Sequence, residues 1–443
     1  MAYLQQILFL LVIAIAVFLL IRRIKFIKSS INLGKPESLS DNSSARLKNM
    51  LLVAFGQKKM FKKPIPAILH LFVYVGFILI NIEVLEFIID GAAGTHRIFA
   101  PYIGSFYTFL MNFFEFLAVT VLLSCVFFLI RRNIVRVPRF HKPEMTSWPL
   151  LDANLILITE FLLVLAILNM NAADQVLQAK GAEHYINTGS LFFSSFFIPV
   201  FEGLSISTLI ILERIFWWFH IIGILAFAVY VTYSKHLHIF LAFPNTYFAS
   251  LKPRGEITNM DSVTNEVKIM LGLMPADETA PPPDEVGRFG AKDVNDLSWK
   301  SIMDAFTCTE CGRCTAECPA NQTGKKLSPR KIMMDTRDRA EEITKSLMKG
   351  GKGLEDGKFL LDDYVSREEL NACTTCNACV EACPVMIDPL AIIIDLRRYI
   401  VMEESGAPTD WNSMFQNIET SFAPWKFAPS DRFKWADELR VKS

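Results

Sequence analysis

Cysteine is almost missing from the first 307 residues of this 443-residue chain, and charge is scarce throughout. Only Cys125 precedes Cys308; it stands alone in an apolar stretch, where a small core residue is expected. Charged residues make up 20% of the sequence and balance at 45 basic against 45 acidic, so no basic field exists to hold nucleic acid. No G-x-G-x-x-G follows a strand-like run, and neither H-E-x-x-H nor a Ser/His/Asp signature occurs. Thr323-Gly324-Lys325-Lys326 looks like the end of a phosphate loop, but Pro319 stands where its first glycine belongs. These absences leave no site for NAD, flavin or ATP. A hydrophobic content of 52% with 36 Phe excludes disorder and polar solenoids.

What is present divides in two. Five apolar stretches, near 4–22, 65–88, 106–130, 152–171 and 207–235, are long enough to cross a bilayer, which needs about 20 residues. The first has no basic n-region and is followed by Arg22, Arg23, Lys25 and Lys28 rather than a small-residue cleavage site, so it reads as a retained anchor. A shorter Phe-rich run, 190–202, reads as an interfacial helix or lid. Lys and Arg crowd the 23–63 and 131–149 loops, while the opposite loops hold little more than Arg97 and Lys180. The positive-inside rule then predicts an outside N-terminus and a cytoplasmic C-terminal half.

Histidine inside a span signals function. His70 lies early in the second span, His220 early in the fifth, and His236 and His238 at the fifth span's inner end. If that span is one straight helix, the 18 residues from His220 to His238 make about five whole turns. The two then share a face about 27 Å apart, and His236 points roughly 160° away. His70 and His238 fall at one depth on antiparallel helices, a pair suited to the iron of a b-type haem. The alternative for His236 and His238 is a place in the wet headgroup zone. Three roles fit His220: ligand to a second haem, wall of a quinone pocket, or structural hydrogen bonding. The second span offers only Ile80 and Asn81 opposite it. His96, His141 and His184 lie in loops and read as solvated.

Residues 244–294 form a linker, with a short amphipathic helix near 262–272 and Pro275, Pro281, Pro282 and Pro283 beyond it. Then come Cys308, Cys311, Cys314 and Cys318-Pro319, spaced C-x2-C-x2-C-x3-C-P, and the same pattern again at Cys373, Cys376, Cys379 and Cys383-Pro384. Such a loop turns three thiolates onto one cubane, and the fourth cysteine reaches the other cluster in two-cluster ferredoxins. Cys308, Cys311, Cys314 and Cys383 are therefore assigned to one 4Fe–4S cluster, and Cys373, Cys376, Cys379 and Cys318 to the other. Zinc also uses C-x2-C pairs, but two full copies with a trailing proline favour iron. Ser328-Pro329, the Ser366-to-Glu369 capping box and Asp388-Pro389 each open a helix around these motifs.

The expected fold is all-α. Residues 1–243 form a five-helix transmembrane, cytochrome b-type bundle, 295–405 a cytoplasmic helical domain with two 4Fe–4S clusters, and 406–443 a partner-docking tail.

The spans with His70, His220 and His238 resemble the gamma-subunit family of respiratory nitrate reductase, which implies haem b on the second and fifth helices. Ile80 stands where that family has a further histidine, so the resemblance supplies ligands for one haem and leaves a second without a pair. Asp296-Leu-Ser-Trp299 and Asn417 to Lys426 resemble the C subunit of heterodisulfide reductase. Gly56 to Met60, Pro64 to His70 and Tyr233 to His238 resemble fused members of this group. Such members are linked to electron transfer flavoprotein as menaquinone oxidoreductases and often continue into CCG domains. The resemblance implies a membrane-bound electron-transfer subunit of the bacterial inner membrane. Its implied partners are a separate CCG-domain subunit of the heterodisulfide reductase D/B type, electron transfer flavoprotein, menaquinone and lipid. The alternatives are a subunit of a lactate- or glycolate-type dehydrogenase or thiol-oxidising complex with the same wiring, and a conduit or anchor without a quinone site.

Overall fold

The computed structural model describes residues 3–275, 288–353 and 355–440. Among these residues the chain is helical, with no strand beyond two isolated bridges, Lys35–Ser298 and Leu361–Val365. Five helices are long and apolar enough to cross a membrane: α1 (Leu4–Ile31), α2 (Pro64–Ala93), α3 (Ser105–Asn133), α4 (Trp148–Ala179) and α5 (Ile206–Val231). Their outward residues, such as Ile7, Leu11 and Phe18 of α1 and Ile82 and Leu85 of α2, stay exposed, as lipid-facing side chains do. Proline at the first turn of α2 and α4 sits where the missing N–H would be unpaired anyway. Gly76 lets α2 approach α3 closely, since a Cβ there would stand 2.5 Å from Val121 Cγ2.

The fifth helix departs from expectation. It stops at Val231, not near 235. Ser234 turns extended, and its hydroxyl accepts the His236 N–H at 3.0 Å, which opens a single turn, Lys235–Leu237. That turn leads directly into α6 (His238–Tyr247). His220 and His238 therefore do not share one straight helix, and the rotation argument built on it is corrected.

Beyond the linker, α7 (Trp299–Thr307), α8 (Pro329–Met348) and α9 (Pro389–Arg398) enclose a core that includes Ile302, Ile332, Ile343, Ile392 and Leu396. The three predicted caps are present: Ser328 accepts Lys331 N–H, Ser366 and Glu369 form a reciprocal box, and Asp388 accepts Ala391 N–H. The amphipathic helix of the linker runs Asp261–Met270, while Pro281, Pro282 and Pro283 lie outside the described residues.

The membrane bundle and this helical domain share a core. Phe26 and Ile27, near the end of α1, and Leu237 belong to the same apolar cluster as Ile343 and Ile392. Arg23 pairs with Glu341 at 2.6 Å, and Ser30 bonds Thr344 at 2.9 Å. The basic loops also touch the cysteine-bearing domain: Lys59 donates to the Val380 carbonyl at 3.1 Å, Lys62 pairs with Glu381, and Arg330 donates to the Arg139 carbonyl at 2.6 Å. The predicted 190–202 segment forms short turns at Ser194–Phe197 and Ile198–Phe201, with the Phe193 and Ser194 N–H groups donating to Glu115.

Candidate functional site

The two cysteine motifs fold alike. Glu310 and Thr375, each two residues after the first cysteine, have φ of 53° and 55°, and Gly312 and Asn377 follow at 68° and 59°. These paired left-handed turns curl each loop around its own thiols. The Glu310 N–H points at Cys308 Sγ at 3.4 Å, and the Thr375 N–H at Cys373 Sγ at 3.4 Å. At Gly312 a Cβ would stand 2.4 Å from Arg330 Nη1, so glycine makes room for that guanidinium, whereas Asn377 takes the same left-handed turn in the second loop.

Cys318, Cys373, Cys376 and Cys379 line one small cavity of about 20 Å³. Cys383 stands beside Cys308, Cys311 and Cys314. The fourth cysteine of each motif thus lies with the other motif's three. Among the described residues no three His, Cys, Asp or Glu side chains converge as they would on a single metal ion. The thiols of Cys318, Cys373, Cys376 and Cys379 stand around a space, the donor arrangement that suits a cubane. Burial pushes the Cys308 and Cys379 thiols up to about 12 and Cys383 to about 11, so they ionise only against the charge of bound metal.

The histidines sit next to this domain. The rings of His70, on α2, and His238, at the start of α6, face each other with centroids 6.3 Å apart. His70 Nδ1 lies 3.2 Å from Gln57 Oε1, and His238 Nδ1 lies 3.1 Å from the Lys235 carbonyl. An Nδ1–H donated to oxygen leaves Nε2 with its lone pair, the tautomer that can hold iron. His236 stacks on His238 at 5.5 Å and meets Phe227 edge-on at 5.7 Å. It flanks the pair rather than pointing to the far face, which corrects the straight-helix expectation. Lys235 forms an ion pair with Glu310, which lies inside the first cysteine motif, and Arg337 holds the other Glu310 oxygen at 2.8 Å.

His220 is placed deeper in the bundle. It is 8% exposed, its Nδ1 lies 2.9 Å from the Leu163 carbonyl, and its ring lies 5.7 Å from Phe87. It lines a cavity of about 160 Å³ together with Ile80 and Asn81, and no other histidine is among the described residues lining it.

At the far end of the bundle the sequence reading of His96 fails. Arg97 is buried, with Asn171 Oδ1 at 2.5 Å and Asp174 Oδ2 at 3.3 Å. His96 is not solvated: it packs 4.8 Å from Tyr185, with Nε2 3.5 Å from Asp174. The available signal was the acidic residues inside the apolar runs, Glu83, Glu86, Glu115 and Asp174, which are costly in a span unless they serve a purpose.

Comparison with known proteins bears on both halves. Residues 307–387 match the family of 4Fe–4S dicluster domains. The chain is 29% identical over 465 residues to the probable iron-sulfur-binding oxidoreductase FadF of Bacillus subtilis, covering 98% of this chain and 61% of that protein. It is 25% identical over 435 residues to the EtfAB:quinone oxidoreductase of Syntrophomonas wolfei, covering 91% of this chain and 55% of that one. A probable membrane-anchored ferredoxin of Chromohalobacter salexigens is 29% identical over 174 residues, 34% of this chain and 24% of its own length. The chain thus spans little more than half the length of the first two relatives. No solved structure matches. The molecule is a membrane-helix protein with a 4Fe–4S dicluster domain, homologous to iron–sulfur oxidoreductases.

Proposed function

We propose that this chain is a membrane electron-transfer subunit acting between a soluble donor and a quinone. One observation carries the reading: the facing His70 and His238 rings, 6.3 Å apart, are tied to the first cysteine motif through the Lys235–Glu310 ion pair. In this reading the two sets of four cysteines hold two 4Fe–4S clusters, and His70 and His238 hold one b haem. When bound, these groups supply one-electron transfer. The chain's own residues prepare the site: Gln57 and the Lys235 carbonyl fix the two imidazole tautomers, and the shared core around Leu237 keeps the histidines against the cysteine-bearing domain.

The quinone is supported by the Syntrophomonas wolfei relative, whose name states that substrate. The donor in this reading is electron transfer flavoprotein, working through a separate CCG-domain subunit, and the quinone is menaquinone. The Lys- and Arg-rich loops lie on the side of the cysteine-bearing domain, which supports a cytoplasmic position for it at a bacterial inner membrane. The test is direct. Anaerobically purified, dithionite-reduced protein is mixed with a short-chain menaquinone analogue while the haem spectrum is followed. Rapid loss of the reduced bands is expected; a haem that stays reduced contradicts the quinone reading.

A further inference from the structure

The half of the bundle remote from the cysteine-bearing domain buries more carboxylates than cations. Glu83, Glu86, Asp90, Glu115 and Asp174 lie there against Arg97, while Arg214 is matched by Glu213 at 2.5 Å. Three of these carboxylates are well supplied with donors. Glu86 accepts the Tyr107 hydroxyl at 2.6 Å and the Phe99 N–H at 3.1 Å. Asp90 accepts the Arg97 N–H at 2.8 Å and the Ile98 N–H at 3.2 Å. Glu115 accepts two backbone N–H groups and the Asn171 amide. With their oxygens engaged by backbone and side-chain donors, these three tie the helices and loops together.

Glu83 and Glu160 differ. Glu83 is 7% exposed, its Oε1 has no hydrogen-bond partner, and the nearest cation is Arg97 Nη1 at 3.5 Å. Glu160, halfway along α4, meets no donor or cation among the described residues. Both line the 160 Å³ cavity beside His220. Glu83 also lines a second, apolar groove of about 600 Å³ between α2 and α3, so it stands between two spaces. An ionised carboxylate with one long cation contact, as at Glu83, or none, as at Glu160, is expensive in such surroundings, which suits these groups to carrying a proton. From Glu83 a polar chain runs through Arg97 and Asp174 to His96 at the end of the bundle.

We propose that Glu83 and Glu160 are a pair of proton carriers that exchange protons with a quinone bound in the membrane domain. The proposal rests on the quinone reading above. Reduction of one quinone consumes two electrons from the iron centres and two protons. Each carboxylic acid breaks its O–H bond, the proton forms a new O–H bond on a quinone oxygen, and the carboxylate left behind is reprotonated by water at the Arg97 end. Quinol oxidation is the same exchange reversed.

The test uses the full chain with its iron centres in detergent, as wild type, Glu83→Gln, Glu160→Gln and a surface control, Glu202→Gln. Infrared spectra in H2O and D2O are expected to show exchangeable C=O bands of protonated carboxyls, one lost in each of the first two variants and none in the control. Bands unchanged in both variants overturn the proposal. Reoxidation of the reduced haem by the quinone analogue is expected to slow by about a hundredfold in Glu83→Gln, the lower end for loss of a positioned proton donor, with iron content unchanged. If the wild type is reoxidised and Glu83→Gln matches it, this proposal alone falls; if the wild type is not reoxidised, the quinone reading has failed and takes the proposal with it.

Discussion

Lys235 and Glu310 form a buried ion pair across the boundary between the membrane bundle and the cysteine-bearing domain, with side chains 9% and 4% exposed. Lys235 precedes His236 in the chain, and Glu310 lies between Cys308 and Cys311. One contact therefore fixes the histidine turn against the first cysteine loop. Asp152 strengthens it, accepting the Lys235 N–H at 3.1 Å, and Arg337 closes the far side. The proposed electron transfer between the two sites needs a fixed separation, and this network provides one.

Metal analysis of anaerobically purified protein should give about eight irons per chain beyond haem iron, four for each cubane. Stoichiometric zinc with little non-haem iron would contradict the cluster assignment.

The fourth cysteines trade places. Cys318 shares a cavity with Cys373, Cys376 and Cys379, while Cys383 stands with the first motif. Cys383→Ser is therefore expected to change the paramagnetic signal of the cluster held by Cys308, Cys311 and Cys314. A change confined to the other signal would reverse the assignment.

Glu144 pins the 131–149 loop to the cysteine-bearing domain. It pairs at 2.7 Å with Arg330, whose side chain is 0% exposed. Burial works against its ionisation, but the Ser328 hydroxyl and Arg330 outweigh it and hold the carboxyl below its usual range. A depressed folded value means the pair contributes fully above the unfolded value of about 4.3, and the contribution is lost as pH falls through the folded value. Glu144→Ala leaves a buried guanidinium unpaired and should cost roughly 3 kcal/mol near neutral pH. Thermal unfolding followed by far-ultraviolet circular dichroism checks this: the gap between variant and wild type should narrow as pH falls below the unfolded value of about 4.3.

What the sequence made legible was local. Ser328, Ser366 and Asp388 open helices because each carries its own capping chemistry, and the cysteine spacing sets the loop that turns the thiols inward. The pairing of His70 with His238 followed from depth alone, and their rings do face each other. The placing of His236 failed because Ser234 caps a new turn, a local signal outweighed by the apolar run around it. His96 was read as solvated because its partner Asp174 comes from α4, 78 residues further along the chain.

In the tail after Gly406, Asn417 bonds the Pro424 carbonyl at 3.0 Å and Arg432 the Phe422 carbonyl at 2.6 Å, both within the segment. Trp425 is 68% exposed, and Phe422, Phe427 and Trp435 are exposed beside it in sequence. Clustered exposed aromatics suit a partner interface. Trp425→Ala should weaken binding of the soluble subunit by roughly 30-fold, the effect of losing one anchoring aromatic, with cluster content intact. Undiminished co-purification would make the segment merely structural.

The proposed pairing of His70 and His238 on one b haem is tested by one spectrum. The reduced-minus-oxidised absorbance of purified His70→Ala and His238→Ala is compared with wild type and His236→Ala, each checked for unchanged cluster iron. The account predicts that the low-spin haem bands vanish in the first two variants and persist, with perturbed shape, in His236→Ala, whose ring only flanks the pair. Full haem bands in His70→Ala or His238→Ala would contradict the pairing and the route built on it.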